Sequence, residues 1–315
     1  MSQWRSTMLK RNKSPHLLSA RDLTRDDLLD LIDRSRYFRD RVETRAIPQI
    51  LVGRIVATLF FQPSTRTRLS FESATQRLGG TCMGFSDPNV SKAGGEWRES
   101  MADTARVLNG YADAVVIRHN EVGAVNLYAE ESAIPVINGG DGRGIYAEHP
   151  TQALIDLFSM EDDFGSLDGL RILVVGHVNQ RCVHSLLLFL ARFSDVAVFL
   201  VTENSERLSE PEERELHSLG LAFEYVEALE DVIERVDAVY VIGTKNPNDV
   251  AKKLVLQSEI LNRSAPHTRV YHPLPRGIEL PPEIDNSRKA SYFRQVGNGV
   301  PVRMAILDRL LVSTH

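Results

Sequence analysis

The chain has 315 residues, room for about two domains. Apolar residues make up 43%, charged residues 25%, and the formal net charge is −5, an ordinary globular balance. Such a chain has no general attraction for nucleic acid or an anionic membrane, so any anion it binds must meet a local basic site. Cys82 and Cys182, its two cysteines, stand far apart, which argues against a disulfide framework or a structural zinc site. Both read as plain core residues. The polar, basic start carries no apolar leader core, and no stretch approaches the roughly 20 residues of a membrane span, so a cytoplasmic protein is expected.

Helix and strand patterns alternate along the chain. Thr24 followed by Asp27 opens a capping-box helix over 24–40, with Leu28, Leu31, Ile32 and Ser35 on one face. The run "RIVATLFF" reads as a strand, followed by a helix from about Ser64 to Leu78 that Gly79 and Gly80 close. "TCMGFS" (81–86) reads as a short strand and 87–97 as a polar loop. A helix over about 99–109 comes next, then strands at 112–118 and 134–139. A further helix starts near His149, with Pro150 in the favoured first position. The alternation then restarts, with strands at 170–176, 195–201, 238–243 and 268–274, a helix at about 181–192, and a final amphipathic helix near 301–311. The expected fold is α/β: two doubly wound domains with mostly parallel sheets and the active site in the cleft between them.

Ligands in such folds sit beyond the carboxyl ends of the strands. That rule singles out 64–68, Arg118, 139–152, 176–181, 243–249 and 272–276. In "PSTRTR", Ser64 occupies the N-cap position of a helix whose first amides point outward and favour an anion. Ser64, Thr65 and Thr67 add hydroxyl donors, and Arg66 adds a planar fork, so the segment reads as a phosphate cradle built without glycine. The competing reading is a well-capped helix whose arginines form surface ion pairs. His149 and Gln152, three apart, share one face of the next helix start, suited to a carbonyl oxygen and an amide. The strand and turn at 174–181 carry only Gly176, which disfavours a nicotinamide cofactor, and "GGDGRG" lacks the Gly-Lys-Ser/Thr of a nucleotide-binding loop.

The segments "FFQPSTRTRLSFESATQRLGG", "HPTQALIDLF", "YHPLPR" and "GNGVPVRMAIL", in this order and spacing, resemble the aspartate/ornithine carbamoyltransferases, the aspartate branch most closely. The resemblance covers about residues 20–312. It implies carbamoyl transfer from carbamoyl phosphate to an amine, L-aspartate by default, without metal or organic cofactor. It also implies a homotrimer with shared active sites. A carbamoyl-phosphate domain over 1–152 would be completed by the C-terminal helix of 295–315, and an acceptor domain would span 153–294. By position, Ser64, Thr65, Arg66, Thr67 and Arg118 would hold the phosphate. Thr67, Arg118 and His149 would polarise the carbonyl, with Arg66 among the catalytic groups. Gln152 and the chain at Leu274 and Pro275 would hold the carbamoyl amino group.

Four departures from the family pattern fall on the acceptor side and the completing loop. The K-G-E-T/S stretch, whose lysine enters a neighbour's site, reads Trp97-Arg98-Glu99-Ser100, with Ser91, Lys92 and Arg98 as substitutes. The E-P-S-T glutamate that locks domain closure is Gln62, which as a neutral group is not expected to do so. In "GHVNQR", Arg181 keeps the place of an arginine that grips an acceptor carboxylate, while His177 replaces an aspartate. The R-x-Q pair is missing, leaving Lys245 as a point charge. A transferase for another amine and an inactive paralogue acting as a scaffold or regulatory subunit remain the alternatives.

Overall fold

The computed structural model describes residues 16–92, 98–243 and 250–312. Trp97 and Lys245 lie outside the described residues. The first half runs α1 (Arg25–Glu43), β1 (Ile55–Phe60), α2 (Thr65–Arg77), β2 (Thr81–Phe85), α3 (Met101–Leu108), β3 (Ala114–His119), α4 (Ala124–Ala129) and β4 (Val136–Asp141). Its four strands are parallel in the order β2-β1-β3-β4. Thr24 caps α1 through the full reciprocal box with Asp27, and Leu28, Leu31, Ile32 and Ser35 are all buried.

Helix α5 (Pro150–Phe164) leads into the second half. There follow β5 (Arg171–Gly176), α6 (Arg181–Leu190), β6 (Ala197–Val201), α7 (Glu210–Ser218), β7 (Ala222–Tyr225), β8 (Ala238–Ile242), α8 (Ser258–Arg263) and β9 (Arg269–Tyr271). These five strands are parallel in the order β7-β6-β5-β8-β9. Gly176 ends β5 at φ +117, where a Cβ would stand 1.9 Å from the Ile242 carbonyl, so only glycine lets the two strand ends approach. Helices α9 (Tyr292–Gly297) and α10 (Gly299–Leu311) close the chain, and α10 packs on α1, α2 and α5. One apolar core joins both sheets through α5 and α6, with Phe71, Leu154, Phe158, Leu186 and Leu307 all buried in it.

The two-domain parallel α/β architecture is as the alternation implied. Four helices and a strand are additional to the sequence reading: α4, α7, α8, α9 and β7. Helix α4 is only six residues long, and β7 is a half-exposed edge strand, so neither carries a strong apolar period. The strand expected over 268–274 stops at Tyr271, because Pro273 and Pro275 have no amide to donate to a ladder. No helix among the described residues is long and apolar enough to cross a membrane.

Candidate active site

The carboxyl ends of both sheets open into one cavity of about 480 Å³. Ser64, Arg66, Thr67, Arg118, His149 and Gln152 line one wall. Gln180, Arg181, Gly243 and the turn after β9, from His272 to Glu279, form the other.

Strand β1 delivers the chain to the start of α2. Ser64 is the N-cap residue in extended conformation, and its side chain makes no capping hydrogen bond. The first-turn amides and the hydroxyl are therefore both available to a ligand. Thr67 is buried with its Oγ1 3.5 Å from His149 Nε2. The two arginines divide the competing readings between them. Arg68 pairs with Glu72 along the helix, an ordinary ion pair, whereas Arg66 donates from Nη2 across the cleft to the Leu274 carbonyl. Thr65 is exposed and does not line the cavity.

Arg118 ends β3 and Arg181 starts α6. Among the described residues, neither they nor Arg66 has a carboxylate within ion-pair reach. Arg118 donates from Nη1 to the Gly139 carbonyl at 3.1 Å, and Arg181 from Nη1 to the Gly142 carbonyl at 2.9 Å. Burial, with Arg181 and Arg66 close by, pulls the Arg118 guanidinium down to about 9. Burial likewise brings Arg181 down to about 10. Partly buried cations without counter-charge are costly, and a dianion in the cleft removes that cost. Gly140 makes the arrangement sterically possible. It sits at φ +118, and a Cβ there would lie 2.6 Å from Arg118 Nη1 and 3.1 Å from Arg181 Cζ.

His149 stands just before α5 with Arg118 Nη1 3.3 Å from its Nε2. A guanidinium only donates, so Nε2 is the acceptor there and Nδ1, 3.4 Å from Thr151 Oγ1, carries the proton. Burial, then the charges of Arg118, Arg181 and Arg303, hold the ring well below its usual pKa, so it is neutral at physiological pH. The opposite turn is braced by His272. Its Nδ1 accepts from Leu274 N at 2.8 Å, leaving Nε2–H to donate to Glu279 at 3.1 Å. Burial opposes the Glu279 charge, but donation from His272 and the Gly277 amide keeps the carboxylate below its ordinary pKa. Leu274 and Pro275 thus face the cleft on a held turn.

On the opposite wall, Arg181 also donates to Gln62 Oε1 at 2.7 Å. Neutral Gln62 therefore does bridge the two domains, by a hydrogen bond rather than an ion pair. Arg276 enters the cavity but is engaged by Asp285 through both terminal nitrogens. Ser91, Lys92 and Arg98 are exposed and stand apart from this cavity. Cys182 is buried as expected but also reaches the cleft wall. Glu279 and Arg303 lie outside the segments singled out from sequence, while Gly140 and Gln180 fall within 139–152 and 176–181 with no role assigned to either. Arg303 had a readable signal, a lone charge within the apolar run "VPVRMAIL".

A two-domain α/β fold with an arginine-lined cleft between its sheets defines the class. Two family models cover nearly the whole chain: the carbamoyl-P binding domain of aspartate/ornithine carbamoyltransferase over residues 15–162, and its Asp/Orn binding domain over 168–310. The aspartate carbamoyltransferase catalytic subunit of Methanocaldococcus jannaschii is 38% identical over 306 residues, 94% of this chain and 97% of that protein. Its counterpart in Thermoplasma volcanium is 40% identical over 313 residues, 96% and 99% of the two chains. Among solved structures, the M. jannaschii aspartate transcarbamoylase catalytic subunit superposes with a TM-score of 0.86 at 35% identity, covering 96% of this chain and 99% of that one. Trypanosoma cruzi aspartate transcarbamoylase, solved with carbamoyl phosphate and aspartate, gives a TM-score of 0.85 at 32% identity, covering 93% and 94%. The chain belongs to the aspartate/ornithine carbamoyltransferase family.

Proposed function

We propose that the protein is a cytoplasmic carbamoyltransferase that moves the carbamoyl group of carbamoyl phosphate onto L-aspartate, releasing phosphate and N-carbamoyl-L-aspartate. The observation that carries this reading is the convergence of Arg66, Arg118 and Arg181, none paired with a carboxylate among the described residues, on the open start of α2. The α2 amides, Ser64, Thr65 through its backbone, Arg66 and Thr67 take the phosphate, with Arg118 bridging phosphate and carbonyl. As the amine attacks, negative charge grows on the carbonyl oxygen, and Thr67 and Arg118 stabilise it. His149 joins them once Arg118 turns from its Nε2 to the substrate and the imidazole proton passes from Nδ1 to Nε2, so that this nitrogen donates. The departing phosphate accepts the amine's proton. Much of the rate comes from holding two small reactants in line.

The first domain, 1–152 with 295–315, supplies this donor half, and 153–294 supplies the acceptor half. Arg181 grips one acceptor carboxylate, and Lys245 is assigned the other. The exposure of Ser91, Lys92 and Arg98, away from their own cleft, supports a homotrimer in which this loop, Trp97 included, completes a neighbour's site. One observation favours a second reading with a less acidic amine. Glu279 adds a carboxylate to the acceptor wall while Arg276 is tied to Asp285.

A single assay tests both readings. The enzyme is mixed with carbamoyl phosphate and a panel of amines including L-aspartate, and phosphate and ureido product are measured together. Rapid N-carbamoyl-L-aspartate formation supports the first reading, and turnover with another amine alone supports the second. Carbamoyl phosphate binding without any turnover overturns both in favour of a non-catalytic paralogue.

A further inference from the structure

Gln152 lies in the first turn of α5, and its Nε2 donates to Asp156 Oδ1 at 2.8 Å, one helical turn on. Asp156 is completely buried and gathers two further donors: Gln295 Nε2 at 2.6 Å on the same oxygen, and the Tyr240 hydroxyl at 2.9 Å on Oδ2. Gln295 in turn accepts from the His272 amide at 2.9 Å through its Oε1. The polarity of this network is determined. A carboxylate only accepts, so both amide groups must present NH₂ to it. The oxygen of Gln295 is then directed to His272. The oxygen of Gln152, which has no partner among the described residues, is directed to the cleft that Gln152 lines.

Nearly every other polar group at that wall donates: Ser64, Thr67, Arg66 and Arg118. The amino group of carbamoyl phosphate is itself a donor and needs acceptors. The Leu274 carbonyl is one, and Gln152 Oε1 is the other only while its amide is held in this orientation.

We propose that Asp156 is a positioning residue for carbamoyl transfer: by taking the Gln152 NH₂ it fixes the Gln152 carbonyl toward the carbamoyl amino group, so that the site reads the donor's nitrogen. This rests on the carbamoyl phosphate reading above and names the device that distinguishes that substrate from other acyl phosphates. Burial pushes the Asp156 carboxyl up to about 6, which leaves it ionised, and acceptor-only, at neutral pH. The same carboxylate ties α5, β8 and α9 together, so the orientation of Gln152 is coupled to the backbone of the 272–276 turn.

Acetyl phosphate is the discriminating probe, since a methyl group replaces the amino group and the phosphate is unchanged. Dissociation constants of both phosphates are measured for the wild type, Gln152→Ala, Asp156→Ala and the double variant. The wild type is expected to prefer carbamoyl phosphate by about tenfold to a hundredfold, the range of a buried hydrogen bond. Asp156→Ala is expected to lose most of that preference while acetyl phosphate affinity stays within about threefold, and to add little in the Gln152→Ala background. Equal weakening of both phosphates, or full additivity with Gln152→Ala, means a merely structural Asp156 and overturns the proposal. A wild type that binds acetyl phosphate but shows no preference for carbamoyl phosphate also overturns it. Failure to bind either phosphate overturns the underlying reading as well. Should Asp156→Ala not fold, a wild-type crystal structure with carbamoyl phosphate decides the matter. Gln152 Nε2 still on Asp156 with Oε1 on the carbamoyl nitrogen supports the proposal, and an amide turned away from Asp156 refutes it.

Discussion

Arg181 donates to the side-chain oxygen of Gln62 at 2.7 Å, joining the start of α6 in the second domain to the segment after β1 in the first. It ties a guanidinium of the cavity wall to a residue just outside the cavity. It joins a charged donor to a neutral acceptor and is worth about 1.5–3 kcal/mol. Gln62 does not line the cavity, so Gln62→Ala should leave carbamoyl phosphate affinity within about twofold. The acceptor KM should rise about fivefold, as Arg181 loses the contact that aims it. Direct titration of the donor alongside steady-state kinetics with the acceptor separates the two effects, and equal loss on both sides would refute the assignment.

Arg66 makes the complementary crossing, from α2 to the Leu274 carbonyl. It is therefore placed both to hold a phosphate and to draw the 272–276 turn over it. Arg66→Ala should weaken carbamoyl phosphate binding by about a hundredfold, because a charge-assisted fork on the phosphate is removed. Arg66→Lys should recover only part of that, since an ammonium cannot span phosphate and carbonyl together. Calorimetric titration with carbamoyl phosphate alone measures both variants, and unchanged affinity in Arg66→Ala would remove this segment from the donor site.

His149 yields a pH prediction with a definite sign. Its pKa is held well below the ordinary value, so the ring is neutral throughout the range from about 6 to 8. Its contribution to rate should therefore not vary there. His149→Gln should lower kcat by about a hundredfold, the scale of one lost oxyanion donor. The ratio of wild-type to variant kcat should stay constant across that window. A ratio that falls as the pH rises through about 6.5 would mean that a protonated imidazolium does the work.

Much of one cavity wall, the proposed donor half, was legible in the sequence, because its groups are carried on strand-to-helix junctions that periodicity and Pro150 mark. Ser64, Arg66, Thr67, Arg118, His149 and Gln152 all arrive at one cavity. The opposite wall, the proposed acceptor side, was harder to read for a physical reason. Whether an arginine is available depends on how the chain folds around it, and nothing in the sequence announces that Asp285, on the stretch that follows, engages Arg276. Gln62 was misjudged in the same way, by charge alone, when geometry gives it a bond that needs no charge. Gly140 reads as one glycine among several in "GGDGRG". Only the three-dimensional approach of two guanidinium groups shows what its missing Cβ permits.

Asp141 gives a stability prediction at the base of the same loop. It is buried, its Oδ2 accepts from the Gly123 amide at 2.8 Å, and Oδ1 has no hydrogen-bond partner among the described residues. Burial raises its carboxyl to about 6 against the 3.8 of a free aspartate. The folded state then binds a proton that the unfolded state has already released, so stability falls as the pH rises from about 4 to above 6. The loss at neutral pH is on the order of 1–3 kcal/mol. Asp141→Asn keeps an oxygen for Gly123 and removes the charge, so its melting temperature should change less between pH 5 and pH 8 than that of the wild type. At pH 8 the variant should melt several degrees higher, by about 2 to 6 °C for a chain of this size. Equal pH dependence in the two proteins, measured by thermal unfolding in matched buffers, would show that Asp141 is ionised at no cost and that its unpartnered oxygen is solvated.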